Sequence, residues 1–187
     1  MSEHVVEDLA AVRRAVAAWL ENVVIDLGLC PFAALPWRQG RVHMALSYAS
    51  TPQEALDDVI AELGDLVALD QGVRGTSLVV LPRLALGFED FLDFCAAAEA
   101  ALSPLGLEGV VQIVPFHPQF LFAQEPEEGV SHYTNRSPYP LLHLLREEDV
   151  SRALAQYPNP RDIYQRNRRT LEALGHEELE RRRRGRG

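Results

Sequence analysis

Arg41-Val42-His43-Met44-Ala45-Leu46-Ser47-Tyr48, followed closely by Thr51-Pro52-Gln53-Glu54, decides the fold. In the first stretch Val42, Met44, Leu46 and Tyr48 recur at every second position, which places them on one face of a strand. In the second, a threonine precedes a proline and a glutamate stands three positions after the threonine. The threonine oxygen can accept the N–H of Glu54 while the Glu54 carboxylate reaches back, and proline loses no hydrogen bond at a first helical position. A strand therefore gives way to a helix within a few residues. Leu56, Val59, Ile60, Leu63 and Val67 carry that helix to about Leu69.

The alternation continues downstream. Thr76 to Leu81 is a short apolar strand stopped by Pro82, and Phe88 to Leu102 is a helix stopped by Ser103-Pro104. Gly109 to Val114 is a third strand. Phe116 to Phe122 reads as a fourth, with Phe116, Phe120 and Phe122 on one face. Ser137-Pro138 repeats the cap-then-proline pattern and predicts a helix carrying Leu141, Leu142, Leu144 and Leu145. A short helix over Glu147 to Gln156 follows, then one from Asn159-Pro160 to near Leu174. Upstream, Leu9, Val12, Val16, Trp19, Leu20, Val23 and Leu27 form the stripe of a helix from Val5 to Leu27, with Gly28 as its cap. Pro31 and Pro36 exclude a long helix after it. The expected fold is α/β: a small mixed, mainly parallel sheet of three to four strands covered by helices, with a C-terminal helical segment. Residues 1–175 read as a single domain and 176–187 as a basic, disordered tail.

The 187 residues, 47% of them hydrophobic, suffice for one core. No apolar run approaches the roughly 18 residues of a membrane span. The acidic start Met1-Ser2-Glu3 lacks a signal-peptide order. The expectation is a soluble, cytoplasmic protein with no membrane partner. Net charge is −9, but residues from Arg161 onward carry +4 and the preceding 160 carry −13. Such a body repels nucleic acid in general. All 18 basic residues are arginine. Without lysine there is no pyridoxal phosphate Schiff base, no phosphate-loop lysine and no lysine nucleophile. Two distant cysteines exclude a disulfide framework.

The chemistry-bearing residues concentrate in Val114 to Phe122 and His132 to Arg146. His117, in Pro115-Phe116-His117-Pro118, closes a core strand, where ligands gather in open α/β sheets. It is the candidate acid/base. His132-Tyr133-Thr134-Asn135-Arg136-Ser137-Pro138-Tyr139-Pro140 is the densest polar cluster. Arg136, with the free amides of a helix starting at Ser137, would hold a carboxylate or phosphate. Tyr133, Asn135, Ser137 and Tyr139 complete that substrate site. His143 and Arg146 would share a helix face, with Arg146 toward the substrate. Cys30, in a loop before Pro31, is a candidate nucleophile or, with His117 and His143, a metal ligand. Cys95 lies on a helix stripe with Phe91, Ala98 and Leu102 and reads as core.

Leu29-Cys30-Pro31-Phe32, Phe116-His117-Pro118 with Phe122-Ala123, Tyr133 to Pro140, and Leu142-His143-Leu144-Leu145-Arg146-Glu147 together resemble the family catalogued as domain of unknown function 1415. The resemblance spans roughly Val16 to Leu154 and implies an identity without a mechanism.

Three functions compete. The first is an enzyme-like protein binding a small anionic molecule at a Cys/His/Arg site, with His117 and Cys30 as catalytic residues. The second is a metal or haem protein using Cys30, His117 and His143. The third is a non-enzymatic interaction module acting through the last helix and arginine tail. GxSxG, HExxH, GxGxxG and a glycine-rich phosphate loop are all missing.

Overall fold

A computed structural model describes residues 9–157, 159 and 161–185. Helix α1 (Leu9–Trp19) continues as a π-helical turn, Leu20–Ile25. The expected start at Val5 lies outside the described residues. Gly28 does end the segment: its φ of 63° suits glycine, and its N–H donates to the Ile25 carbonyl. A five-residue helix α2 (Ala34–Arg38) leads into strand β1 (Val42–Leu46). Thr51 forms the predicted capping box for α3 (Pro52–Ala68). Strand β2 (Thr76–Val80), helix α4 (Phe88–Ala100) and strand β3 (Val111–Phe116) follow in the expected order.

Two expectations fail at this point. The chain turns directly after Phe116, so 116–122 is not a strand; Pro118 has no N–H to continue a ladder, and Phe120 bonds back to the His117 carbonyl. More consequentially, Leu141–Arg146 is not a helix but strand β4. It inserts between β2 and β3, giving the order β1-β2-β4-β3. β1 and β2 pair in parallel, whereas β4 is antiparallel to both its neighbours. The sheet is thus mixed rather than mainly parallel, although β1, β2 and β3 share a direction. A central strand is apolar on both faces, so its run of leucines shows no period that separates it from a buried helix.

Helices cover both faces. Leu142 and Leu144 join Val79, Leu81, Val111 and Ile113 against α3 and α4. Leu141 faces the other way, with Met44, Leu78 and Val80, against α1, the π turn and α6 (Arg161–Arg183). α5 (Glu147–Ala155) follows β4 directly. α6 does not stop before Gly175. It breaks there, at φ 71° and ψ 172°, and resumes to Arg183, with Leu179 fully buried. The stretch expected as a tail is therefore, through Arg183, part of the packed helical layer. No helix of the described residues is long and apolar enough to cross a membrane.

Candidate functional site

Residues 117–140 join two antiparallel neighbours, β3 and β4, by a connection far longer than a hairpin turn. A loop that long must find partners for its buried backbone groups. The polar residues picked out in the sequence meet that demand. Asn135 donates from Nδ2 to the Pro115 carbonyl (3.0 Å) and accepts the His117 N–H at its own carbonyl (3.1 Å). His132, fully buried, accepts the Phe122 N–H at Nδ1 (3.0 Å); with that nitrogen an acceptor, Nε2 carries the proton and donates to the Pro126 carbonyl (2.8 Å). The two segments thus come together, and they interlock through backbone.

His117 follows the same logic. Its ring is 3% exposed and packs between Phe88 and Phe91 of α4. Nδ1 accepts the Gln119 N–H at 3.1 Å, and Nε2 faces the Leu86 carbonyl at 3.4 Å. Burial lowers its pKa, only partly opposed by the Leu86 carbonyl, so the ring is held neutral. Both nitrogens of the expected acid/base are engaged by backbone.

His143 lies across the sheet. It is a strand residue, so it and Arg146 point to opposite faces, not to one helix face. Its Nε2 bonds to Thr76 Oγ1 (2.7 Å), which itself donates to the Leu144 carbonyl (2.6 Å). Its ring approaches Phe116, which packs on Trp19 of α1. Burial lowers its pKa to about 4. Arg146, 9% exposed, turns the other way. It donates to the carbonyls of Leu66, Leu69 (2.7 Å) and Arg74 (2.8 Å) and so caps the C-terminus of α3.

Cys30 sits on the α6 side of the sheet, in the turn after Gly28. Burial pushes its thiol pKa up, against hydrogen bonds from the backbone of Phe32 and Ala33 and the charge of Arg166. Arg166 and Asn167 clasp this turn, donating to the carbonyls of Gly28 (2.5 Å) and Leu29 (2.7 Å). Nothing in the local sequence marks these two residues; their position on α6 opposite the turn is a tertiary fact. Cys30, His117 and His143 do not form a shared ligand set, because the sheet separates His117 from the other two. Among the described residues no three His, Cys, Asp or Glu side chains gather to hold a metal ion. Cys95 is core, its thiol pushed up to about 12 by burial and by Glu99.

Ser137 does not cap a helix. Its hydroxyl donates to the Tyr139 carbonyl at 2.5 Å, in the turn that leads into β4. The helix-start amides expected beside Arg136 therefore do not exist. Arg136 itself is partly exposed. Its guanidinium lies 4.9 Å from the centre of the Tyr133 ring, and Nε donates to the Phe120 carbonyl (3.1 Å). Tyr133 Oη donates to Glu180 (3.0 Å), which also receives Arg183 (2.8 Å). Arg183 reaches on to the Ser137 carbonyl (3.0 Å). Burial and the adjoining Glu180 raise the Tyr133 pKa, while Arg136 works to lower it. Glu180 and Arg183 lie in the stretch expected as a tail. The signal that finds them is the Glu-to-Arg spacing of three and four residues around Leu179, which is helical.

The model of the family described as protein of unknown function DUF1415 matches residues 11–181. The chain belongs to this family. The match runs from within α1 to Arg181 in the last turn of α6, and so takes in all the side chains above except those beyond residue 181. No curated protein and no solved structure matches the chain.

Proposed function

We propose that this DUF1415 protein binds a small anionic molecule, a carboxylate or a phosphate, at Arg136 beside Tyr133. The observation that carries this reading is the state of the Arg136 guanidinium. It is oriented by the Tyr133 ring and the Phe120 carbonyl, and among the described residues no carboxylate lies within ion-pair distance of it. Arginines at the end of α6 and just after it differ: Arg182, Arg183 and Arg184 each hold a glutamate. A fixed, partly exposed guanidinium with open donors suits a planar anion, and its immobilised side chain reduces the entropy lost on binding.

The reading is one of binding. Of the candidate catalytic residues, His117 packs between Phe88 and Phe91 with both ring nitrogens on backbone groups, and Cys30 lies in the turn clasped by Arg166 and Asn167. Asn135 and Ser137 support the loop that carries Arg136. Differential scanning fluorimetry against phosphate, citrate and a set of small mono- and dicarboxylates tests the proposal. At least one anion raises the melting temperature of the native protein, and Arg136→Gln abolishes that rise while folding normally. A panel without effect, or an equal rise in the variant, refutes it.

A further inference from the structure

The two helices on the far side of the sheet have a one-sided composition. α3 carries Glu54, Asp57, Asp58, Glu62 and Asp65, α4 carries Glu89, Asp90, Asp93 and Glu99, and neither contains a single basic residue. Acids in a first turn favour a helix, which accounts for Glu54, Glu89 and Asp90. It does not account for Asp57, Asp58, Glu62, Asp65, Asp93 and Glu99. Asp65 even sits near the C-terminus of α3, where the helix dipole opposes it.

Between these helices runs a groove of about 420 Å³, lined by Pro52, Gln53, Leu56, Leu86, Asp90, Asp93, Phe94 and Ala97. Its floor is apolar. Leu56 and Leu86 are partly exposed, and Phe94 closes the bottom. Its lip is acidic. Among the described residues no arginine or histidine pairs with Asp90 or Asp93, in contrast to Glu62, which holds Arg74 at 2.9 Å. An apolar slot under unpaired carboxylates selects a cation with an apolar body.

We infer that the α3–α4 groove is a docking surface for a basic amphipathic segment of a partner protein. Apolar side chains of that segment seat on Leu56, Leu86 and Phe94, and its arginines or lysines meet Asp90 and Asp93. Charge complementarity sets the choice of occupant. A chain whose first 160 residues carry −13 repels acidic partners and steers basic ones. This surface is separate from Arg136, and the two proposals stand or fall independently.

The test uses the ¹⁵N-labelled full-length protein and a synthetic helical peptide built only of leucine and lysine, polar and apolar on opposite faces. Saturable amide shifts confined to the groove, at Gln53, Leu56, Leu86, Asp90, Asp93 and Ala97, support the inference. Asp90→Asn with Asp93→Asn then weakens binding about tenfold, and Ala97→Trp, which fills the slot from its exposed lip, abolishes it. Three results overturn it. The first is no binding. The second is equal competition by spermine, a polycation without an apolar face, which reduces the effect to general attraction. The third is a concentration-dependent dimer broken by Ala97→Trp, which assigns the groove to a second copy.

Discussion

His143 donates Nε2–H to Thr76 inside the sheet, and its pKa of about 4 makes it a pH-dependent weight on stability. The unfolded chain takes up a proton below pH 6.5, which the folded ring refuses until about pH 4. Its contribution is therefore complete above pH 6.5 and is lost as pH falls through that window, to a limit of about 3 kcal/mol. His117, also shifted down, acts in the same direction. His143→Gln keeps a donor for Thr76 and removes the titration. Denaturant melts at pH 7, 5.5 and 4.5 will show a flatter acid limb in the variant; an acid limb as steep as the native one would contradict this assignment. Arg146 is the second residue whose removal is informative. Its guanidinium binds three carbonyls around the end of α3, a helix with no basic residue of its own in its last turn. Arg146→Met will lower stability by about 3 kcal/mol, since it orphans buried carbonyls, and Arg146→Lys will recover part of that. A loss under about 1 kcal/mol in the Met variant, measured by urea unfolding, would mean that water replaces the guanidinium there.

The elements differ in how far the sequence specified them. β1, α3, α4 and β3 carry their own period, and β2, buried throughout, is short and stopped by Pro82, so their kind and order were legible. The capping box at Thr51 and the cap at Gly28 were legible because they depend only on neighbours in sequence. β4 was not. Leu141 to Arg146 has no alternation, since both its faces are buried, and only its pairing with Leu78 and Val114 makes it a strand. That single reversal moved Ser137 from a helix cap to a turn and placed His143 and Arg146 on opposite faces. The end of α6 is obscured by a local signal that is genuine but incomplete. Gly175 does break the helix, but its positive φ allows a second helical stretch to resume and bury Leu179. Gly175→Ala meets no atom within 4 Å, so its cost is purely conformational. It should amount to about 1–3 kcal/mol and unseat residues 176–183 before the rest. Hydrogen exchange will show this as lost protection confined to that stretch; unchanged protection and stability would contradict the strained geometry.

At the scale of the whole molecule, the sheet divides two unlike surfaces. One is the α3–α4 layer, acidic throughout. The other is the α1–α6 layer, whose arginines are largely neutralised by glutamates of the same helix. The β3–β4 loop lies at the seam and presents Arg136. Composition showed the charge asymmetry but placed its positive part in a free tail, since sequence does not reveal that Arg182 reaches Asp26 at 2.6 Å or that Arg183 reaches Ser137. The site was legible as a cluster, Tyr133 to Tyr139, and not as an arrangement. Most of those polar groups hold backbone, and Arg136 is the member with donors left to offer. The most direct measurement is an arginine Nε–Hε correlation spectrum of the ¹⁵N-labelled protein during titration with the anion that most raises its melting temperature. A saturable shift of the Arg136 resonance is expected, absent in Arg136→Gln, with the Arg146 resonance unmoved. Saturable binding that leaves the Arg136 resonance in place would contradict it.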